Sequence, residues 1–224
     1  MIPLYDTVRT RKFPLVNVLL IVVNVLVFFY ELQLSPSALE RFISTWGLVS
    51  TRVVSHPTIA WITLFTSMFL HGGWLHLIGN MWFLYIFGDN VEGRMNGARY
   101  LIFYLLSGVA AALLQVFILP TSQVPTIGAS GAIAGVLGAY LISFPRARIA
   151  SLVPILFIFT IIEIPAAIFL ILWFALQVFS GLFAIQGANA SGIAWWAHVG
   201  GFVFGMLAIY FFARRTVYRN WNQE

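Results

Sequence analysis

The chain has 224 residues, 61% of them hydrophobic and only 8% charged, with a formal net charge of +5 and a mean hydropathy of +0.93. A soluble domain carries about 25% charged residues, so this chain cannot cover a water-facing surface and its solvent is largely lipid. The basic residues lie in short clusters between apolar spans, the pattern of topology determinants rather than of a nucleic-acid binder, and the absence of cysteine excludes disulfides and thiolate metal sites.

A bilayer-crossing helix needs about 20 mostly apolar residues. Six segments qualify in chain order: Phe13–Glu31, about Trp74–Gly88, Ala98–Leu119, about Ile127–Phe144, a helix within the long apolar stretch Ile149–Gln186, and about Ile193–Ala213. The expected fold is therefore all-α, a polytopic bundle of six transmembrane helices. Its core spans residues 13–213, between an N-terminal segment 1–12 and a tail 214–224. Pro154, Pro165 and Glu163 interrupt the fifth stretch. The spanning helix is placed after Pro165, with Ile149–Ile162 as an interfacial or buried lead-in; one tilted, kinked helix is the alternative. The first apolar run is long and no small-x-small cleavage site follows, so it reads as a retained anchor rather than a signal peptide. The connection Leu32–Gly73 carries Trp46 and Trp61 and is expected to lie partly in the membrane interface.

Six spans put ten basic residues on one side: Arg9, Arg11, Lys12, Arg94, Arg99, Arg146, Arg148, Arg214, Arg215 and Arg219. Only Arg41 and Arg52 fall on the other. Basic loops stay inside, so both termini are expected in the cytoplasm, and the setting is read as a prokaryotic cell membrane.

Polar groups inside a membrane are functional hypotheses by default. His76 and Asn80 are four apart and share a helix face. Gly128-Ala129-Ser130-Gly131 opens the fourth span and Trp195-Trp196-Ala197-His198 the sixth. All even-numbered spans run in the same direction, so at about 1.5 Å per residue these groups share one shallow layer near the outer face. Gly131, Gly135 and Gly138 face the possibility of close packing on Ala197, Gly201, Gly205 and Ala208, because small residues at this spacing let backbones approach. Bland alternatives stand beside this. A lone Ser in a span bonds back to a carbonyl one turn earlier, Asn80 could be interhelical glue, and His71, His76 and His198 could bind a metal, although no carboxylate sits at ligand spacing.

At these residues the chain resembles the rhomboid family of intramembrane proteases. The matches are Gly128-x-Ser130-Gly131, Ala197-His198-x-x-Gly201-x-x-x-Gly205 and His76-x-x-x-Asn80, with His71 and Glu92 agreeing in type and position. The resemblance implies peptide-bond hydrolysis within or near the membrane. Ser130 would be the nucleophile and His198 the base, with the oxyanion held by the Ser130 N–H, His76 and Asn80. His71 and Gly128 would line the substrate cavity. It implies transmembrane protein substrates in a lipid bilayer, with no cofactor, metal or nucleic acid. Two departures stand out: Trp61-Ile62-Thr63 lacks the Arg that many members place beside a Trp before the second span, and Ala134 stands where some members stack an aromatic on the His. The acid inventory points independently to a dyad. On the outer side only Glu31 and Glu40 are available, and neither has an obvious route to His198. The loop Gln186–Gly192, rich in small residues, is expected to let the fifth span tilt as a substrate gate. The competing functions are an inactive relative that binds transmembrane segments and, more distantly, a small-solute transporter or channel.

Overall fold

The computed structural model describes residues 1–8, 10, 12–155, 158–185 and 193–214. The chain opens with a short strand, β1 (Ile2–Asp6), and then α1 (Leu15–Glu31). The connection that follows folds into short helices: α2 (Pro36–Trp46), α3 (Ser50–Ser55), α4 (Pro57–Ala60) and α5 (Thr63–Thr66), then one 3-10 turn at Ser67–Phe69. Next come α6 (Trp74–Arg94), α7 (Gly97–Ile118) and α8 (Ser130–Ser143). An antiparallel hairpin, β2 (Arg148–Ile155) and β3 (Ile158–Pro165), precedes α9 (Ala166–Ile185) and α10 (Trp195–Phe212).

Three of the described helices, α7, α9 and α10, are long and apolar enough to cross a membrane; α1 and α8 are apolar but shorter. Helix length and polar residues account for the difference from six expected spans. Asp89, Glu92 and Arg94 crowd the end of α6, and α8 starts at Ser130 instead of Ile127. Ser130 is thus the first residue of its helix, not a turn inside it.

The lead-in before the fifth span is a hairpin, paired from Arg148↔Pro165 to Ile155↔Ile158; the alternative of one kinked helix is not what forms. Ile149, Thr160, Ile161, Ile162 and Ile164 are β-branched and favour extended backbone. Pro154 and Pro165 would each break a helix interior. β1 joins as the third strand, in the order β1-β2-β3. The Trp82 indole N–H donates to the Pro3 carbonyl at 2.6 Å. Asn90 Nδ2 and the Tyr140 hydroxyl both donate to Asp6 Oδ2. Tyr140 lies ten residues beyond Ser130 on α8, about 15 Å along the axis, so the sheet caps the end of the bundle opposite Ser130.

The N-terminus of α1 has no side-chain cap of its own. Glu92 of α6 supplies one: its carboxylate accepts the Val16 N–H at 3.2 Å and the Asn17 N–H at 2.8 Å. These are N–H groups with no partner inside the helix. The Asn17 side chain donates to the Leu84 carbonyl at 3.0 Å and accepts from the Tyr100 hydroxyl at 2.8 Å. Glu92, matched by type in the sequence, is therefore the fastening of α1 to α6.

The centre of the bundle is α8. Every residue from Gly131 to Leu141 is buried. Its glycines let α10 lie against it backbone to backbone. A Cβ on Gly201 would run into the Gly131 carbonyl oxygen, and one on Gly205 into the Gly135 carbonyl oxygen. From the other side, a Cβ on Gly138 would strike the Phe202 carbonyl oxygen. On a third face, Gly135 receives the Ser107 side chain of α7.

Candidate active site

The α8–α10 seam fixes where two polar side chains meet. Ser130 begins α8, and His198 sits in the first turn of α10. With the helices this close, His198 Nε2 lies 2.7 Å from Ser130 Oγ. His198 is 9% exposed. A small pocket borders the serine, lined by Ser67, Met68, Gly128, Ser130, Gly131 and Ala197 among others. A hydroxyl with an imidazole in hydrogen-bond reach is the pairing that acyl transfer uses.

The turn before α8 brings α6 to the same place. Gly128 has φ +119°, a conformation open to glycine and strained for other residues. Its N–H donates to the Ser67 carbonyl at 2.8 Å. A Cβ there would lie 2.6 Å from His76 Nε2 and 3.6 Å from Asn80 Nδ2. Both side chains of α6 therefore converge on the backbone two residues before Ser130. His76 Nδ1 accepts the Gly72 N–H at 3.3 Å, so in the neutral ring the proton is on Nε2, the nitrogen aimed at the site. Asn80 is 8% exposed, and its Nδ2 has no hydrogen-bond partner among the described residues. A buried amide N–H₂ without a partner is unusual.

His71 precedes α6. It is 3% exposed, its N–H donates to the Glu31 carboxylate at 3.2 Å, and its ring packs at 5.1 Å from that of His76. Glu31 is occupied there and does not approach His198. Ala134, fully buried, leaves the imidazole without an aromatic on α8; Trp173 of α9 and Trp195 of α10 approach it instead, at 6.0 and 6.2 Å between ring centres. The proposed gate loop, Gln186–Gly192, lies outside the described residues.

Two glutamines escaped the sequence reading. Gln115 of α7 accepts the Ala197 N–H at 3.2 Å, tying down the start of α10 next to the histidine. Gln177 of α9 places its Oε1 2.8 Å from His198 Nδ1. The available signal was the same one that singled out Asn80: an amide inside an apolar span.

Fold and site together define a class, a multi-pass helical membrane protein with a Ser–His pair at one end of a glycine-packed helix seam. Residues 59–215, more than half of the chain, match the family model described as the Rhomboid domain. The chain belongs to the rhomboid family and is an integral membrane protein. It is 38% identical over 96 residues to Rhomboid-like protein 11, chloroplastic, of Arabidopsis thaliana, covering 43% of this chain and 34% of that one. It is 30% identical over 131 residues to a Bacillus subtilis protein named as a candidate rhomboid protease, covering 58% and 63%. It is 28% identical over 178 residues to Rhomboid protein 1, mitochondrial, of Saccharomyces cerevisiae, covering 75% and 45%. The chain thus spans less than two thirds of the length of each. Their names carry chloroplast and mitochondrion beside a bacterium, a wider range than the prokaryotic membrane expected from the sequence.

Proposed function

We propose that this protein is an intramembrane serine endopeptidase that cleaves transmembrane segments of other membrane proteins. The observation that carries the proposal is the 2.7 Å contact between Ser130 Oγ and His198 Nε2 beside a small pocket. Ser130 Oγ attacks the scissile carbonyl while Nε2 takes its proton. The tetrahedral oxyanion accepts hydrogen bonds from the Ser130 N–H, His76 Nε2 and Asn80 Nδ2. His198 returns the proton to the leaving amine, and a water activated by the same nitrogen releases the acyl group. Donors fixed before the reaction stabilise the developing charge most where water is scarce. The substrate segment must unwind, because a helix hides its carbonyls in its own hydrogen bonds.

In this reading α1 and α6–α10 cross the bilayer. Both ends of the chain lie on the side that carries ten basic residues, which in a prokaryotic cell membrane is the cytoplasm. Ser130 then opens toward the opposite face. The purified protein is incubated with a single-span membrane protein in detergent or liposomes, and the products are sequenced. Cleavage inside or next to the span, absent in Ser130→Ala, is the expected result; intact substrate with wild-type protein argues for a relative that binds without cutting.

A further inference from the structure

Gln177 is the only amide side chain in α9, and it is 7% exposed. At membrane depth an amide without partners is costly. Both of its polar atoms are engaged, in opposite senses. Nε2 donates to the Trp173 carbonyl one turn back, at 3.2 Å. Oε1 faces His198 Nδ1 at 2.8 Å. A backbone carbonyl only accepts, so the nitrogen of the amide must face Trp173 and its oxygen must face the histidine. That oxygen cannot donate, so the proton in this contact belongs to Nδ1. A neutral imidazole has one N–H. Nε2 therefore carries a lone pair, 2.7 Å from Ser130 Oγ.

We infer that Gln177 is the positioning residue of this site, holding His198 in the Nδ1–H tautomer with Nε2 aimed at Ser130. The inference rests on the protease reading of the Ser130–His198 pair. In a Ser–His–Asp triad a carboxylate does this work. An amide does it here without burying a charge, which suits the depth. When Ser130 attacks, its proton passes to Nε2, the Nδ1–H stays on Gln177 Oε1, and the Nε2 proton then leaves with the amine. The hydrogen bond runs from α9 to α10, so the base is set only while α9 is docked. Trp173, on the same face of α9, meets the imidazole ring as well, so one turn of this helix supplies both the acceptor and the ring contact that Ala134 does not.

The test compares wild type, Ser130→Ala, His198→Ala, Gln177→Leu and Gln177→Glu as purified full-length proteins in liposomes with a single-span substrate. Gln177→Leu is expected to lower kcat by about 10²-fold, within the range a positioned base supplies, and to leave KM within about twofold. Labelling of Ser130 by a fluorophosphonate slows in parallel. Gln177→Glu keeps an acceptor at the same reach and recovers most of the loss. In wild type with ¹⁵N-labelled histidine, His198 is expected to be protonated on Nδ1. Protonation on Nε2 overturns the inference, including in the case where Gln177→Leu fails to fold. Folded Gln177→Leu with unchanged kcat overturns it too. Cleavage that persists in Ser130→Ala or His198→Ala would instead remove the protease reading beneath it.

Discussion

Ser130, His198, His76 and Asn80 come from three helices, and in the proposed protease single atoms of theirs decide the outcome. Removing the Ser130 hydroxyl leaves no nucleophile, and Ser130→Ala is expected to abolish cleavage while thermal stability stays near that of wild type, read by product analysis and a melting curve. Asn80 separates a chemical role from a packing role. Its Nδ2 has no partner among the described residues, so Asn80→Ala breaks no bond seen there through that nitrogen. It is expected to lower kcat much more than it raises KM, by about 10²–10³ for loss of one oxyanion donor, and somewhat less here because His76 and the Ser130 N–H remain. Kinetics on active-site-titrated protein check this; an unchanged kcat with a lowered melting temperature would make Asn80 a fastening between helices. The depth argument from sequence put these residues at one level; Ser130 Oγ lies 2.7 Å from His198 Nε2, and His76 and Asn80 approach Gly128. The pairing of His198 with Gln177 was not legible, because an acceptor search limited to carboxylates passes over amides.

At the level of elements, the seam between α8 and α10 sets the Ser130–His198 distance, and it depends on hydrogen atoms where other residues have Cβ. Gly201→Val pushes its side chain into the Gly131 carbonyl, one residue from the nucleophile. Separation by about 1 Å costs on the order of 10²-fold in rate, so activity in the assay above is expected to fall at least as steeply as stability. Full activity in this variant would mean that the two backbones do not touch. The spacing of these glycines made the seam readable in the sequence. The hairpin β2–β3 was less readable: an apolar run with two prolines fits a lead-in, and only its β-branched residues and its pairing with β1 make it a sheet. Glu92 belongs to this scale as well. Glu92→Ala frees two N–H groups in the first turn of α1. It is expected to cost about 1–2 kcal/mol, the range for loss of a helix cap, seen as a lower melting temperature with kcat per folded molecule preserved.

Across the whole molecule the two ends have different tasks. The site occupies one end, and the sheet closes the other through Asp6. Burial raises the Asp6 carboxyl from 3.8 to about 6, with the nearby Asp89 adding to the shift and the Tyr140 hydrogen bond opposing it. The folded state therefore prefers the protonated form. This contribution to stability is fully present below the unfolded value of 3.8 and is lost as pH rises through about 6. The melting temperature is expected to be higher at pH 5 than at pH 7.5, and Asp6→Asn is expected to flatten that difference. The number of spans was read in the sequence from apolar runs and charge placement, whereas helix length and composition alone single out three. α1 and α8 are apolar but shorter, and α6 carries Asp89, Glu92 and Arg94 near its end. The most direct test joins both ends of the molecule to one chemical event: wild type and Ser130→Ala are each reconstituted in liposomes with a single-span substrate, and the products are identified by mass spectrometry. Cleavage within or next to the span by wild type, and none by Ser130→Ala, is the expected result. Equal cleavage by the two proteins, or none by wild type with bound substrate intact, would contradict a serine protease.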